Sequence, residues 1–575
     1  MREAAAVESG ETCKKPAPNH VARDAYCSIK RWGISWKIPF DVYLFKCKDS
    51  EYLEVQYMCP EKTLPYLAAR HPRVVFGKPT VEEGMNSLRA FWEAYREYHG
   101  DHEVFSTHAD LSRVIPVAIH GDEGKGKRRS NTTVVSFESV LGMKSKVKLC
   151  TTCCPTHLEV PTDFDFTDRR SKEDPLVKEL FSNMQSHSYL QHWPMVVIPG
   201  TFASDYKELT LEILELFGSK FDNMFRAGFK VGDEQFYCAV VACKGDLRWY
   251  SKICRLTRGY ENKGRVVDKP CCHQCLAGTT DLPAEDMSTT PVWLETLHLE
   301  RPWKADKPHA LHAAPYDPQR PEHMYRHDCF HTLRLGVFRD FTASALFLFI
   351  QWDLFGADGN LSLKLERAHG QFKLFLASVG KTASLRSFST SLFQYNNKKS
   401  YPWSNVKGSD CTLLLKFVRV MTIALLNQVG GDQERRKVLN VLLSTARLGI
   451  SVYDHMNAHR LFMDWACGAV FYEKGQAFCN GYGWLACWAF EHQLCLFAIK
   501  PKLHFWSHVL ADVKGQLDRR CVAIANPIMT DCQQNEDFIG RLCKLSMGID
   551  NRVVFHRTLE FYLTKAAILL RRHSL

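Results

Sequence analysis

No apolar run in the 575 residues reaches the roughly 18 uninterrupted positions of a membrane-spanning helix. The two longest, Phe341–Phe355 and Trp484–Ile499, are broken by Gln351 and Asp353 and by Glu491 and His492, and read as buried helices. The opening MREAAAVESGETCKKP lacks the apolar centre of a secretory signal, so the 22 cysteines are expected to be reduced thiols rather than a disulfide framework. Internal repeats and low-complexity tracts are missing, which excludes solenoids and long disordered stretches. Cys13, Cys27, Cys47 and Cys59 have no CxxC spacing, and no helix-turn-helix signature stands out, so the N-terminus offers no compact DNA-binding module. Acids are in mild deficit, 63 against 74 Lys and Arg, and the net charge of +11 favours an anionic partner without identifying it.

What is present is a globular composition, 45% hydrophobic and 24% charged, in a chain long enough for more than one core, because single cores rarely exceed about 250 to 300 residues. The stretch VEEGMNSLRAFWEAYREYH has helical spacing. From Val114 the pattern changes to short β-branched runs, VIPVAIH and NTTVVSFESV, followed by a Lys-rich stretch and KLCTTC, and these predict a β-meander. An amphipathic helix in ASDYKELTLEILELFGSKFDNMF leads into a further strand, FYCAVVAC, giving a mixed α/β unit. Residues 330–505 have mostly helical spacing and read as an insertion. The last part, with IMTDCQQNEDFIGRLCKLS and FHRTLEFYLTKAAILLRR, reads as more helix. The expected division is an N-terminal region of unclear role (1–110), the first part of an α/β core (111–335), a helical insertion (336–505) and a C-terminal part of that core (506–575).

Two strand-like runs end in an acid beside cations: HGDEGKGKRR, with Asp122 before Lys125, Lys127, Arg128 and Arg129, and CKGDLRW, with Asp246. Acids at the ends of neighbouring strands meet in space, and Mg²⁺ takes a few carboxylates together with water and phosphate oxygens. Gly121 and Gly245, one before each acid, would let a phosphate backbone approach closely. Acids also cap strands for no catalytic reason. Downstream lie Cys272 and Cys275 in CCHQC, then Asp328 and His331 in HDCFH. Thiolate, imidazole and carboxylate at such spacings suit a tetrahedral Zn²⁺, with Cys271 or His273 as substitutes.

In this order the features resemble a DDE/D transposase of the CACTA (En/Spm-like) group: Asp122 in HGDEG, Asp246 in CKGDLRWYSKICRL, the CxxC of Cys272 and Cys275, the DxxH of Asp328 and His331, and a late acid in QQNEDFIGRL. KPKLHFWSHVL, with His504 and His508, is similar to that group's segment before the last acid. The resemblance spans Val114 to His556. It implies a ribonuclease H-like α/β core interrupted by a large helical insertion, with Asp122, Asp246 and Glu536 as the catalytic carboxylates and Asp537 the rival for third place. It further implies two Mg²⁺ or Mn²⁺ ions, a structural Zn²⁺, DNA ends and target DNA as partners with the basic loop along the DNA backbone, a homo-oligomer on DNA, no membrane, and a nuclear location. The reaction would be strand cleavage and transfer. A transposase-derived DNA- or chromatin-binding protein without activity and a structure-specific nuclease are the alternatives.

Overall fold

A computed structural model describes residues 35–47, 51–126, 131–143, 179–184, 186–263, 268–550 and 553–572. A hairpin of β1 (Phe40–Lys46) and β2 (Tyr52–Met58) is followed by helix α1 (Val81–Tyr98). Thr80 caps α1 by accepting the amide of Glu83 at 3.2 Å, and two acids in the first turn favour that end of the helix dipole.

The main sheet is built from β3 (Val114–Lys125), β4 (Asn131–Ser139), β5 (Trp193–Pro199), β6 (Phe229–Val231) and β7 (Glu234–Lys244), with α2 (Leu209–Arg226) between β5 and β6. Spatial order is β5-β4-β3-β7-β6. β3, β4 and β5 form an antiparallel meander, while β7 returns parallel to β3. β3 is central and buried from Val114 to Gly121, which explains its unbroken apolar run. The third strand of the meander is Trp193–Pro199; KLCTTC, expected to supply a strand here, lies outside the described residues. α2 buries Leu209, Ile213, Leu214, Phe217 and Phe221 at spacings of three and four and packs on β7. Near the end of β7, Cys243 makes one further parallel bridge to Tyr325.

Beyond α3 (Leu247–Ile253) and a loop-rich segment, the chain enters helices α4 (Phe338–Gln351), α5 (Leu361–Ser378), α6 (Gly408–Leu426), α7 (Gln433–Ala458), α8 (Trp465–Glu491) and α9 (Pro501–Asp518). It then returns to the sheet as α10 (Gln533–Ser546) and α11 (Val554–Arg572). α10 lies on β3, and α11 on β5 and β2.

The hydrophobic residues fall into two large cores. One joins the sheet, α1, α2, α10 and α11 with Trp36, Phe45, Val55 and Phe91. The described part of the N-terminal region therefore shares the core of the sheet. The other core runs from Cys329 to Ile528, wider at both ends than the expected 336–505, because α9 buries Leu503, Trp506 and Leu510 among the insertion helices. Among the described residues no helix is long and apolar enough to cross a membrane.

Candidate functional site

Asp122 lies near the end of β3. Side chains alternate along a strand, so Asp122 shares a face with His120, and that face is covered by α10. The two glycines have a different role from the one their position suggested. A Cβ on Gly121 would come 2.0 Å from the indole of Trp249, and one on Gly245 would come 2.5 Å from the same ring. Both make room for a buried tryptophan, not for a phosphate backbone. Gly121→Ala is expected to lower stability by about 1–3 kcal/mol through overpacking, read as a reduced denaturant midpoint at unchanged slope.

Asp246 follows β7 and caps α3, accepting the amide of Trp249 at 2.6 Å. Glu536 stands in the first turn of α10, half-buried, with Oε1 lacking a hydrogen-bond partner. Ligand atoms of Asp122, His331 and Glu536 lie within 4.8 Å of one another. Burial, then the charges of Glu536 and Asp246, push the Asp122 carboxyl well above the usual carboxylate range. Asp246 stands outside that group but within electrostatic reach, and acids placed this way repel one another unless a proton or cation neutralises them. Asp537, one residue on, faces away: it accepts from Ser188 Oγ at 2.7 Å and from Arg541 at 2.6 Å.

His331 belongs to this cluster, and not to Cys272 and Cys275. A wide π-helical segment, Phe330–Val337, begins at the DxxH, where Asp328 accepts the His331 amide at 2.8 Å and pairs with its Nδ1 at 3.1 Å. The other ring nitrogen, Nε2, is 3.6 Å from Glu536 Oε1. Burial alone would lower the His331 pKa; the Asp328 charge and hydrogen bond, then Glu536, raise it to about 10.

The CxxC faces helix α9 instead. Cys272 Sγ lies 3.3 Å from His508 Nε2, Cys275 Sγ is 3.4 Å from both His504 Nε2 and His508 Nε2, and the two imidazole nitrogens are 3.1 Å apart. A tetrahedral zinc with bonds of about 2.0–2.3 Å separates its ligands by about 3.3–3.8 Å, so these four atoms fit the ion with little movement. All four residues are buried, and Trp293 packs against both histidine rings with centroids at 4.6 Å. Despite its burial, Cys272 is held well below the usual thiol range by the Cys275 hydrogen bond and by His508. The expected set of Cys272, Cys275, Asp328 and His331 is thus corrected at two positions. Of the substitutes, Cys271 is not in the group of four, and His273, whose Nε2 pairs with the Tyr325 carbonyl at 2.9 Å, forms a second group with Cys272 and His327.

No protein-family model and no curated protein matches this chain. The site must be read from its own chemistry. His504 and His508 were legible as HxxxH, which puts two imidazoles on one helix face and, with a CxxC, makes a common zinc spacing. The nearer DxxH hid it. Of the basic loop, Lys125 is exposed at the end of β3, while Lys127, Arg128 and Arg129 lie outside the described residues.

Proposed function

We propose that this chain is a DNA transposase-like protein, cleaving and transferring DNA strands by divalent-metal-dependent phosphoryl transfer on a ribonuclease H-like core. The observation that carries the reading is the meeting of Asp122 and Glu536, more than 400 residues apart in sequence, within 4.8 Å and within electrostatic reach of Asp246. The strand order supports it: an antiparallel meander, a helix, and a strand returning parallel to the first, with the insertion placed between the second and third acids.

The donor set, carboxylate oxygens of Asp122 and Glu536 with one orphaned buried oxygen on Glu536, beside the His331 imidazole, fits a divalent cation such as Mg²⁺ or Mn²⁺. Bound there, Mg²⁺ or Mn²⁺ would polarise the scissile phosphodiester and make water or a DNA 3′-hydroxyl a stronger nucleophile. Asp122 and Asp246 would hold the cations from the sheet and Glu536 from α10. His331, braced by Asp328, closes one side of the cluster. Cys272, Cys275, His504 and His508 would hold a structural Zn²⁺ that ties the segment after Asp246 to the far end of the insertion.

The partners in this reading are transposon ends and target DNA, met by a homo-oligomer in the nucleus, and the net charge of +11 agrees with a polyanionic substrate. The test is cleavage of duplex DNA carrying candidate terminal repeats, in Mg²⁺ or Mn²⁺, followed by joining of the freed 3′ end to a target. Cleavage with joining supports a transposase. Cleavage alone makes the chain a nuclease on the same core, and binding without cleavage makes it a transposase-derived DNA-binding protein.

A further inference from the structure

Beneath the three carboxylates lies a second set of charged groups, buried in the face of the sheet that α10 covers. Glu138 on β4 is 2% exposed and Lys244 at the end of β7 is 4% exposed, and they form an ion pair. Glu138 also meets Nδ1 of His192, just before β5, and accepts from Asn535 Nδ2 at 3.2 Å. Lys244 Nζ donates to the backbone carbonyl of Asp531 at 3.3 Å, ahead of α10. Sheet register explains the gathering. Glu138 is opposite Ala118 on β3, and His120 is level with Lys244 on β7, so these side chains share a face.

Three of these groups are one or two residues from a proposed metal ligand. Lys244 is two residues before Asp246, His120 two before Asp122, and Asn535 next to Glu536. Glu138 touches both Lys244, at the end of the strand that precedes Asp246, and Asn535, on the helix that carries Glu536. A buried carboxylate is costly unless fully paired, and here it is met by Lys244, His192 and Asn535. Burial would raise its pKa, but His192 and Lys244 hold it at about 2, so it is ionised at neutral pH.

We infer that Glu138 is a positioning residue, setting the register of α10 on the sheet so that Glu536 meets Asp122 and Asp246. It touches no reacting atom. The inference rests on the proposed metal-binding role of those three residues. Outer groups that orient metal ligands typically contribute roughly 10–100-fold to metal affinity, and Glu138→Gln is expected to weaken Mn²⁺ binding within that range.

The experiment titrates full-length protein with Mn²⁺ and follows the free ion by electron paramagnetic resonance, alongside thermal melting. Asp122→Asn serves as the control. If the control binds Mn²⁺ like the parent, the carboxylate site is not a metal site and the functional reading falls. If the control loses Mn²⁺ binding but Glu138→Gln keeps the parent affinity, only the positioning role is overturned. Should Glu138→Gln fail to fold because Lys244 is left unpaired, the double variant Glu138→Gln with Lys244→Met decides, since removing both charges of a buried pair is often tolerated. Recovered melting with Mn²⁺ affinity still reduced supports positioning. Recovery of both means Glu138 was only the partner of a buried lysine.

Discussion

Asp122→Asn, Asp246→Asn and Glu536→Gln are each expected to reduce metal-dependent strand cleavage by at least about 1,000-fold, because a bound cation supplies several kcal/mol of charge stabilisation and each 1.36 kcal/mol is tenfold in rate. Groups that work as a unit lose activity non-additively, so the triple variant should be little worse than any single one. Asp537→Asn should cleave like the parent, since that carboxylate is held by Ser188 and Arg541 on the other side of α10. Folding gives an internal check. Asp122 is strained by Glu536 and Asp246, so in EDTA the Asp122→Asn protein should melt no lower than the parent. Initial cleavage rates on one DNA substrate, with melting curves in parallel, decide the matter. Parent-like rates in all three single variants would return these acids to the role of ordinary caps.

Zinc removal is the second large effect. Inductively coupled plasma analysis of the parent should find about one zinc per chain at the Cys₂His₂ centre, and Cys272→Ser or His508→Ala should lose it. A structural zinc contributes its binding energy to folding, so these variants should melt at clearly lower temperature or be recovered as aggregate. Asp328→Asn separates the two possible ligand sets. It should leave zinc content unchanged, because Asp328 braces His331 beside Glu536 and not the cysteines. Loss of zinc in Asp328→Asn with retention in His508→Ala would reinstate the DxxH as the ligand pair.

The strands and helices nearest the acids were legible because their patterns are local. VIPVAI is apolar throughout, as a strand buried on both faces must be, and the helical periods of α1 and α2 are read from apolar spacing in the same way. The proposed zinc ligands were half legible: CxxC announces itself, but choosing between DxxH and HxxxH needs the path of a chain through six helices. Glu138 was invisible. In NTTVVSFESV it reads as a polar position facing solvent, and only register opposite β3 and beside Lys244 turns it inward. The shared core of the N-terminal hairpin and the sheet was equally hidden, since Phe45 and Val55 carry no mark of the partner that buries them.

Placing α10 after the insertion has a consequence during synthesis. Glu536 leaves the ribosome about 290 residues after Asp246, an interval of roughly 15–60 s at ordinary elongation rates of about 5–20 residues per second. Through that interval the nascent chain has both sheet aspartates but no third acid, and the surface that α10 will cover is open. On the proposed function, a growing or prematurely terminated polypeptide would therefore lack the carboxylate that completes the cation site. In that reading competence would arrive only with α10, so a chain that stops before Gln533 would be a harmless fragment instead of a loose nuclease.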